Sequence, residues 1–122
     1  LAPLAEVLRR ANLPDAVAAD DFSIAAQIVR HRVTHLQCTP SMARMLATSP
    51  DSRPALGRLK HLLVGGEALP QALAADLRRA TGASITNMYG PTETTIWSTT
   101  APVTGTGAVA GIGTPIANTQ VY

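Results

Sequence analysis

Seven consecutive residues at positions 87–93, Asn-Met-Tyr-Gly-Pro-Thr-Glu, carry the side chains best suited to chemistry in this chain. Tyr89 offers a flat ring for stacking, and the Gly-Pro dipeptide after it favours a tight turn. Thr92 and Glu93 then leave the turn as a hydroxyl donor and an anion, which suit a phosphate group and a divalent cation. The alternative is an ordinary strand-to-loop turn, because Gly-Pro is a common turn dipeptide.

The elements that must position this turn alternate between helix and strand. Apolar residues at helical spacing predict helices over residues 1–12, 22–32, 41–48 and 70–81. Short apolar or β-branched runs predict strands over residues 33–38, 59–64 and 83–88, with a further strand beginning in 116–122. Residues 50–57 and 101–113 are predicted to be loops.

Local signals predict how several of these helices begin and end. Asp20 and Asp21 are predicted to cap the second helix, and Pro40 suits the first turn of the third. His31 belongs to the polar end of the second helix rather than to a metal site. Gly82 is predicted to end the last helix in the left-handed conformation.

Short strands separated by helices pair in parallel through right-handed crossovers, so the order of elements predicts an α/β fold with a parallel sheet and flanking helices. Ligands of such sheets gather outside the carboxyl ends of the strands. Three turns with functional side chains fall at those ends, at residues 37–40, 65–68 and 89–93. This coincidence favours a binding site over a plain turn.

Composition excludes several classes of protein. A hydrophobic content of 46% and a charged content of 15% exclude disorder, and 122 residues fit one domain or a piece of one. The formal net charge is only +2 and the arginines are scattered, so nucleic acid is not an expected partner. No apolar run approaches the roughly 20 residues of a membrane span, so no membrane partner is expected either.

Cys38 is the only cysteine, which excludes an internal disulfide framework and fits a cytoplasmic protein. Its apolar surroundings predict a buried, inert thiol rather than a nucleophile. The sequence begins at Leu1 without an initiator methionine and stops within a predicted strand. We therefore expect residues 1–122 to be a partial domain, truncated at both ends.

Three segments carry a resemblance to a known family: Cys-Thr-Pro-Ser at 38–41, Leu-Val-Gly-Gly-Glu-Ala-Leu at 63–69, and Asn-Met-Tyr-Gly-Pro-Thr-Glu-Thr-Thr at 87–95. Together they resemble the adenylate-forming enzyme superfamily, most closely the AMP-binding adenylation domains of nonribosomal peptide synthetases. Nearly the whole chain resembles the middle of the large N-terminal subdomain of that family.

The resemblance implies a ligase of secondary metabolite biosynthesis that uses ATP and Mg²⁺. An amino acid carboxylate attacks the α-phosphate of ATP to give an aminoacyl adenylate and pyrophosphate, and the phosphopantetheine thiol of a carrier domain captures the product. Carrier (thiolation) and condensation domains of the same synthetase are the implied partners. Such displacement at phosphorus asks a protein mainly for positioning and charge stabilisation.

The resemblance also assigns roles to individual residues. Tyr89 would stack on adenine, Asn87 would hydrogen-bond its edge, Thr92 would donate to the α-phosphate and Glu93 would hold Mg²⁺. The residues that would shape the adenine wall and its turn are Gly65, Gly66, Glu67, Ala68 and Gly90. The alternatives are an exposed loop acid at Glu67 and a turn residue at Asn87, and His35 and His61 are predicted to face the core or solvent.

By position in the family, the amino acid pocket would be lined by Gln37, Leu63, Gly65, Met88, Ile96 and Trp97. Most of these side chains are bulky and none is charged, while Gly65 alone leaves room. Because a filled pocket excludes large side chains, the set predicts a small, uncharged substrate. The combination resembles the family's glycine-selecting pattern, so we predict glycine first and alanine second. The alternative for Trp97 is a plain core residue.

Several parts of the family's catalytic machinery are absent from these 122 residues. They include the phosphate loop with its lysine, the ribose-binding aspartate and the C-terminal subdomain with the catalytic lysine, and Lys60 matches neither lysine. We therefore expect the isolated chain to bind nucleotide weakly and to turn nothing over. The rival functions are an acyl-CoA or aryl-CoA ligase of the same superfamily, and a non-catalytic nucleotide-binding or interaction domain of α/β type.

Overall fold

The computed structural model describes residues 17–91, 93, 96–103 and 110–122, so the helix predicted over residues 1–12 lies outside the described part. The elements in chain order are α1 Ile24–Arg30, β1 His35–Cys38, α2 Pro40–Thr48, α3 Arg53–Leu56, β2 His61–Gly65, α4 Gln71–Ala80, β3 Ser84–Tyr89, β4 Thr99–Pro102 and β5 Thr114–Pro115. This alternation of helices and strands confirms the predicted α/β class.

The five strands form one sheet in the order β1-β2-β3-β4-β5. The first three strands run parallel, as predicted, whereas β4 and β5 are antiparallel to their neighbours. The sheet is therefore mixed. The reversal follows from chain length, because residues 90–98 are too few for the crossover that a parallel partner of β3 requires.

The core lies on one face of the sheet, beneath α2 and α4. Leu62 and Val64 of β2 and Ile85 of β3 point to this face and are at most 7% exposed. Leu46 of α2 and Leu77 of α4 belong to the same buried cluster. The alternate residues of the strands point to the opposite face, where the side chains are exposed or half-buried.

The start of α1 differs from the prediction. Its N-cap is Ser23, whose Oγ accepts a hydrogen bond from the backbone N–H of Ala26 at 3.2 Å. The predicted caps Asp20 and Asp21 lie too far upstream, and Asp21 instead accepts from the backbone N–H of Ser23 at 2.9 Å. His31 caps the end of α1, as predicted.

Two further local predictions were wrong. The predicted loop at 50–57 contains the short helix α3, because Pro54 suits a first helical turn and the next two residues, Ala55 and Leu56, bury against the core. Gly82 does not adopt a left-handed conformation. Helix α4 ends at Ala80, and its C-cap is Thr81, which is extended with φ −144° and donates its N–H to the carbonyl of Leu77.

The last part of the sheet also differs from the prediction. The predicted loop at 101–113 overlaps β4, which pairs with β3 through Asn87–Ala101 and Thr86–Pro102. The strand predicted to begin in 116–122 is not formed, and the chain pairs earlier, at Thr114–Pro115. Among the described residues, no helix is both long and apolar enough to cross a membrane.

Candidate functional site

A cavity of about 360 Å³ opens at the carboxyl ends of β2 and β3. It is lined by Gly66, Glu67, Ala68, Leu69, Asn87, Met88, Tyr89, Gly90, Ala110 and Ile112. The structure thus brings together six residues that the sequence predicted for nucleotide binding, from two turns about twenty positions apart. Thr92, also predicted, lies outside the described residues.

The turn after β2 forms one wall of this cavity. Gly66 has φ +91°, a conformation that glycine adopts without the steric cost of a side chain. A Cβ at this position would lie 3.7 Å from the methyl carbon of Thr39, so the turn packs against the start of α2. Glu67 is exposed, and its Oε2 accepts a hydrogen bond from Oγ of Ser41 at 2.6 Å.

Asn87 stands at the inner end of the cavity and is only 5% exposed. Its Nδ2 donates to the backbone carbonyl of Gly111 at 2.9 Å. Its Oδ1 is buried and finds no hydrogen-bond partner among the described residues. An unpaired buried acceptor costs about 1–3 kcal/mol, so a ligand donor at this point of the cavity would relieve a real penalty.

Tyr89 and Gly90 form the outer wall, where β3 turns toward β4. The Tyr89 ring is 48% exposed and therefore free to stack on a ligand. The carbonyl of Tyr89 accepts from the N–H of Ser98 at 2.7 Å, which closes the connection behind Gly90. A Cβ at Gly90 would lie 2.3 Å from the carbonyl oxygen of Ile96, so this close approach requires glycine.

Residues 110–113 form a third wall that sequence reasoning missed. The N–H of Ala110 donates to the carbonyl of Leu69 at 2.9 Å, and Gly111 is held by Asn87. Gly113 has φ +78°, and a Cβ there would lie 1.8 Å from the carbonyl oxygen of Thr100. The signal available in the sequence was Gly113, since a glycine in an extended segment often marks a close backbone approach.

Four of the predicted substrate residues share the less covered face of the sheet. Gln37 pairs with Leu63, and Gly65 pairs with Met88, which places all four on one face because Leu63 and Gly65 are two positions apart. Asn87 points to the helix-covered face instead. The side chains of Asn87 and Met88 therefore point to opposite sides of β3, although Met88 also borders the cavity.

Trp97 lies directly against Gly65. A Cβ at Gly65 would be 2.6 Å from two carbons of the indole ring, Cη2 and Cζ3, so the ring occupies the space that a side chain would take. Ile96 is different: it is 62% exposed and has φ +78°, an outlier for a β-branched residue. The structure thus places Trp97 against the predicted pocket and leaves the Ile96 side chain in solvent.

Glu93, the predicted metal ligand, is exposed and follows the Gly-Pro turn. Within residues 17–91, 93, 96–103 and 110–122, three or more His, Cys, Asp or Glu side chains do not gather anywhere as a metal site. One carboxylate fits Mg²⁺, which commonly takes one or two carboxylates and completes its shell with phosphate oxygens and water. It does not fit a metal that needs a full set of protein ligands.

A second cavity, of about 590 Å³, is larger but contains none of the predicted site residues. It lies between α1, α2 and α3 and is bordered by residues such as Ile24, Val29 and Met45. This cavity lies among helices, away from the carboxyl ends of β2 and β3. The smaller cavity is the better candidate because it is lined by Asn87, whose buried Oδ1 lacks a hydrogen-bond partner among the described residues, and by the exposed ring of Tyr89.

Cys38 at the end of β1 is buried, as predicted. Burial raises the pKa of its thiol to about 11, because desolvation disfavours the thiolate. The thiol is therefore protonated at neutral pH and unsuited to nucleophilic chemistry.

Comparison with known proteins identifies the family of this chain. Residues 9–122 match the family model described as AMP-binding enzyme. The chain belongs to the AMP-binding enzyme family. Its relatives include the dimodular nonribosomal peptide synthase of Bacillus subtilis, which is 45% identical over 101 residues and covers 82% of this chain.

Two solved structures share the fold of this chain. The N-terminal subdomain of Klebsiella oxytoca NpsA, in complex with 3-hydroxybenzoyl-AMSN, has the same fold, with a TM-score of 0.67 at 23% identity over 77% of this chain. The AMPPNP-bound form of the synthetase FmoA3 gives a TM-score of 0.66 at 31% identity over 77% of this chain. The chain spans 4% of the Bacillus relative, 25% of the NpsA subdomain and 11% of the FmoA3 chain.

Proposed function

We propose that this chain supplies the adenine-binding and amino-acid-selecting part of an adenylation site in a nonribosomal peptide synthetase. The reaction is the ATP-dependent activation of a small amino acid, with glycine preferred and alanine second. The observation that carries this proposal is the cavity beside Asn87, in which a buried amide oxygen lacks a partner among the described residues. The AMPPNP-bound form of FmoA3, at 31% identity, supports a nucleotide in this family's site.

The nucleotide would enter along the helix-covered side of β3. Oδ1 of Asn87 is an acceptor, so it suits the exocyclic amino group of adenine, while a guanine would present a carbonyl oxygen at that place. The exposed ring of Tyr89 would stack on the base, and Gly66 and Ala68 would form the opposite wall. These contacts would fix the base and so direct the phosphates toward the turn at residues 90–93.

The amino acid would bind on the other side of β3. Its carboxylate oxygen attacks the α-phosphorus, the bond from that phosphorus to the oxygen bridging to the β-phosphate breaks, and pyrophosphate leaves. Thr92 would donate its hydroxyl to the α-phosphate. Glu93 would hold Mg²⁺, which when bound neutralises charge on the phosphate oxygens. The phosphopantetheine thiol of a carrier domain would then take the aminoacyl group.

The Trp97 ring against Gly65 supports the small substrate. Because the indole already fills the space above Gly65, a large substrate side chain would have to displace it. Overpacking of this kind typically costs about 1–3 kcal/mol. Leu63 and Met88 add apolar surface and no charge on the same face, which disfavours an acidic or basic substrate.

We further propose that the chain works within a longer cytoplasmic synthetase, beside carrier and condensation domains. Support comes from its relatives, which are nonribosomal peptide synthetases of which it spans only a few per cent. The phosphate loop and the catalytic lysine would come from that longer protein. The 122-residue chain alone would then bind ATP weakly and catalyse no exchange.

The test is amino-acid-dependent exchange of pyrophosphate into ATP by an adenylation domain that contains these residues. Glycine should give the strongest exchange, alanine weaker exchange, and phenylalanine or aspartate none. Strong exchange with phenylalanine or aspartate and none with glycine would contradict the pocket assignment. Asn87→Ala should raise the KM for ATP while GTP stays a poor substrate, and coenzyme A in place of a carrier domain should not accept the product.

A further inference from the structure

Resting on the proposed function, we propose that Ser41 is a positioning residue of the nucleotide site. Its hydroxyl holds the Glu67 carboxylate against the start of α2 and so keeps that negative charge away from the phosphates of ATP. Ser41 lies outside the cavity and acts only through Glu67.

The contact itself has the geometry of a strong hydrogen bond. Oγ of Ser41 donates to Oε2 of Glu67 at 2.6 Å, across 26 positions of sequence. This separation lies in the short range typical of a hydroxyl bound to an ionised carboxylate. The carboxylate is also held beside the first turn of α2, where the backbone N–H groups and the helix dipole favour an anion.

Ser41, in the first turn of α2, is rigidly placed. Ala43, Leu46 and Ala47 anchor α2 in the core. Thr39 caps its start by accepting from the N–H of Met42 at 3.2 Å. Ser41 is therefore a fixed point from which an exposed turn can be held.

The Glu67 side chain, in the turn after β2, needs such a fixed point. Glu67 lines the cavity yet is exposed, and its side chain has three rotatable bonds. An unrestrained carboxylate here could swing over the cavity mouth, where it would repel the polyanionic end of ATP. Adenosine carries no phosphate, so the same movement would affect its binding far less. This difference separates an electrostatic role of Ser41 from a purely structural one.

The experiment compares ATP and adenosine binding by an adenylation domain that contains these residues, followed through amide chemical shifts of Gly66, Ala68 and Asn87. Ser41→Ala should weaken ATP binding roughly fivefold, the size expected for loss of one hydrogen bond, and adenosine binding less than twofold. Ser41→Thr keeps the hydroxyl, and the domain that carries it should bind ATP within about twofold of the unsubstituted domain. Thr48→Ala removes a hydroxyl from the far end of the same helix and should leave both affinities unchanged.

The decisive variant is Ser41→Ala combined with Glu67→Gln. Removing the charge should restore ATP binding to within about twofold, because no anion remains to repel the phosphates. Equal loss of ATP and adenosine binding, without restoration by Glu67→Gln, would show that Ser41 only shapes the turn and would overturn the inference. The inference would also be overturned if Ser41→Ala left ATP binding unchanged, or if Thr48→Ala weakened ATP binding as much as Ser41→Ala does. If the unsubstituted adenylation domain binds neither ligand, the proposed function itself fails, and the inference with it.

Discussion

Single atoms set the dimensions of this site. The missing Cβ of Gly65 admits the Trp97 ring, and the missing Cβ of Gly90 admits the backbone of Ile96. Motif matching predicted that Gly65 leaves room in the pocket, but not that a neighbouring ring takes that room. Long-range packing of this kind cannot be read from local sequence, because it depends on how the connection between β3 and β4 folds back.

The first prediction concerns Gly65→Ala. The new Cβ would lie 2.6 Å from the Trp97 ring and 2.5 Å from the carbonyl oxygen of Met88, so one of them must move. We expect a loss of about 1–3 kcal/mol in the free energy of unfolding. Trp97 is the only tryptophan, so its fluorescence spectrum should shift as the ring is displaced.

The matched control is Gly82→Ala. No described atom lies within 4 Å of a Cβ at Gly82, and its φ is not positive, so this change should be neutral or slightly stabilising. Urea unfolding of both variants, read by far-ultraviolet circular dichroism, gives the comparison. Equal stability of the two variants would contradict the packing of Trp97 against Gly65.

The second prediction concerns the pH dependence of Cys38. Burial raises the pKa of its thiol from the ordinary 9.0 to about 11, so at pH 8 the folded chain should react with iodoacetamide roughly 100-fold more slowly than the urea-unfolded chain. The folded state keeps a proton that the unfolded state releases, and stability should therefore fall as the pH rises from about 9 to 11. Equally fast alkylation of folded and unfolded chains at pH 8 would argue against a buried thiol.

At the scale of elements, the three parallel strands and the longer helices were predictable, and the later strands were not. The β-branched and apolar runs of β1 to β3 are strong local signals. The strand β4 is short and contains Pro102, and β5 has only two residues, so neither carries a period that a sequence window can detect. Both form because pairing partners are already in place.

The third prediction concerns the segment that carries β5. Gly113→Ala should force a side chain into φ +78° and against the carbonyl oxygen of Thr100, so β5 should separate from β4. Hydrogen exchange of the Ile116 amide, which donates to the carbonyl of Ser98, should rise at least tenfold. Gly111→Ala is the control, because no described atom lies within 4 Å of a Cβ there. Protection of Ile116 that survives Gly113→Ala would show that the close approach is not required.

At the scale of the whole molecule, the sheet has one face under helices and one face much less covered. The hydrophobic pattern predicted helices and strands but not which face each helix covers, since that depends on crossover handedness and on residues distant in sequence. The side chains of Asn87 and Met88 point to different faces of β3, as the alternation of a strand requires, although Met88 also borders the cavity. The third wall at residues 110–113 was missed because glycine signals a close backbone approach there without indicating its partner, and no motif linked the segment to Asn87.

The fourth prediction uses two neighbouring leucines of β2 to test this asymmetry. Leu62 is fully buried under the helices, whereas Leu63 is half-buried on the other face. Leu62→Ala should lower the free energy of unfolding by about 2–5 kcal/mol, and Leu63→Ala by clearly less, roughly 1 kcal/mol. Urea unfolding of the two variants is the measurement. Equal losses would mean that both faces contribute a core.

The alternation along β3 also limits how this site can change over time. Because the side chains of Met88 and Asn87 point to opposite faces, replacing one leaves the other in place, and the proposed selectivity for the amino acid can drift by substitution alone. Deleting or inserting one residue in the strand would exchange the faces and ruin both sides at once. Variation among descendants of such a chain should therefore preserve the length of β3 and confine insertions to the connections beyond it.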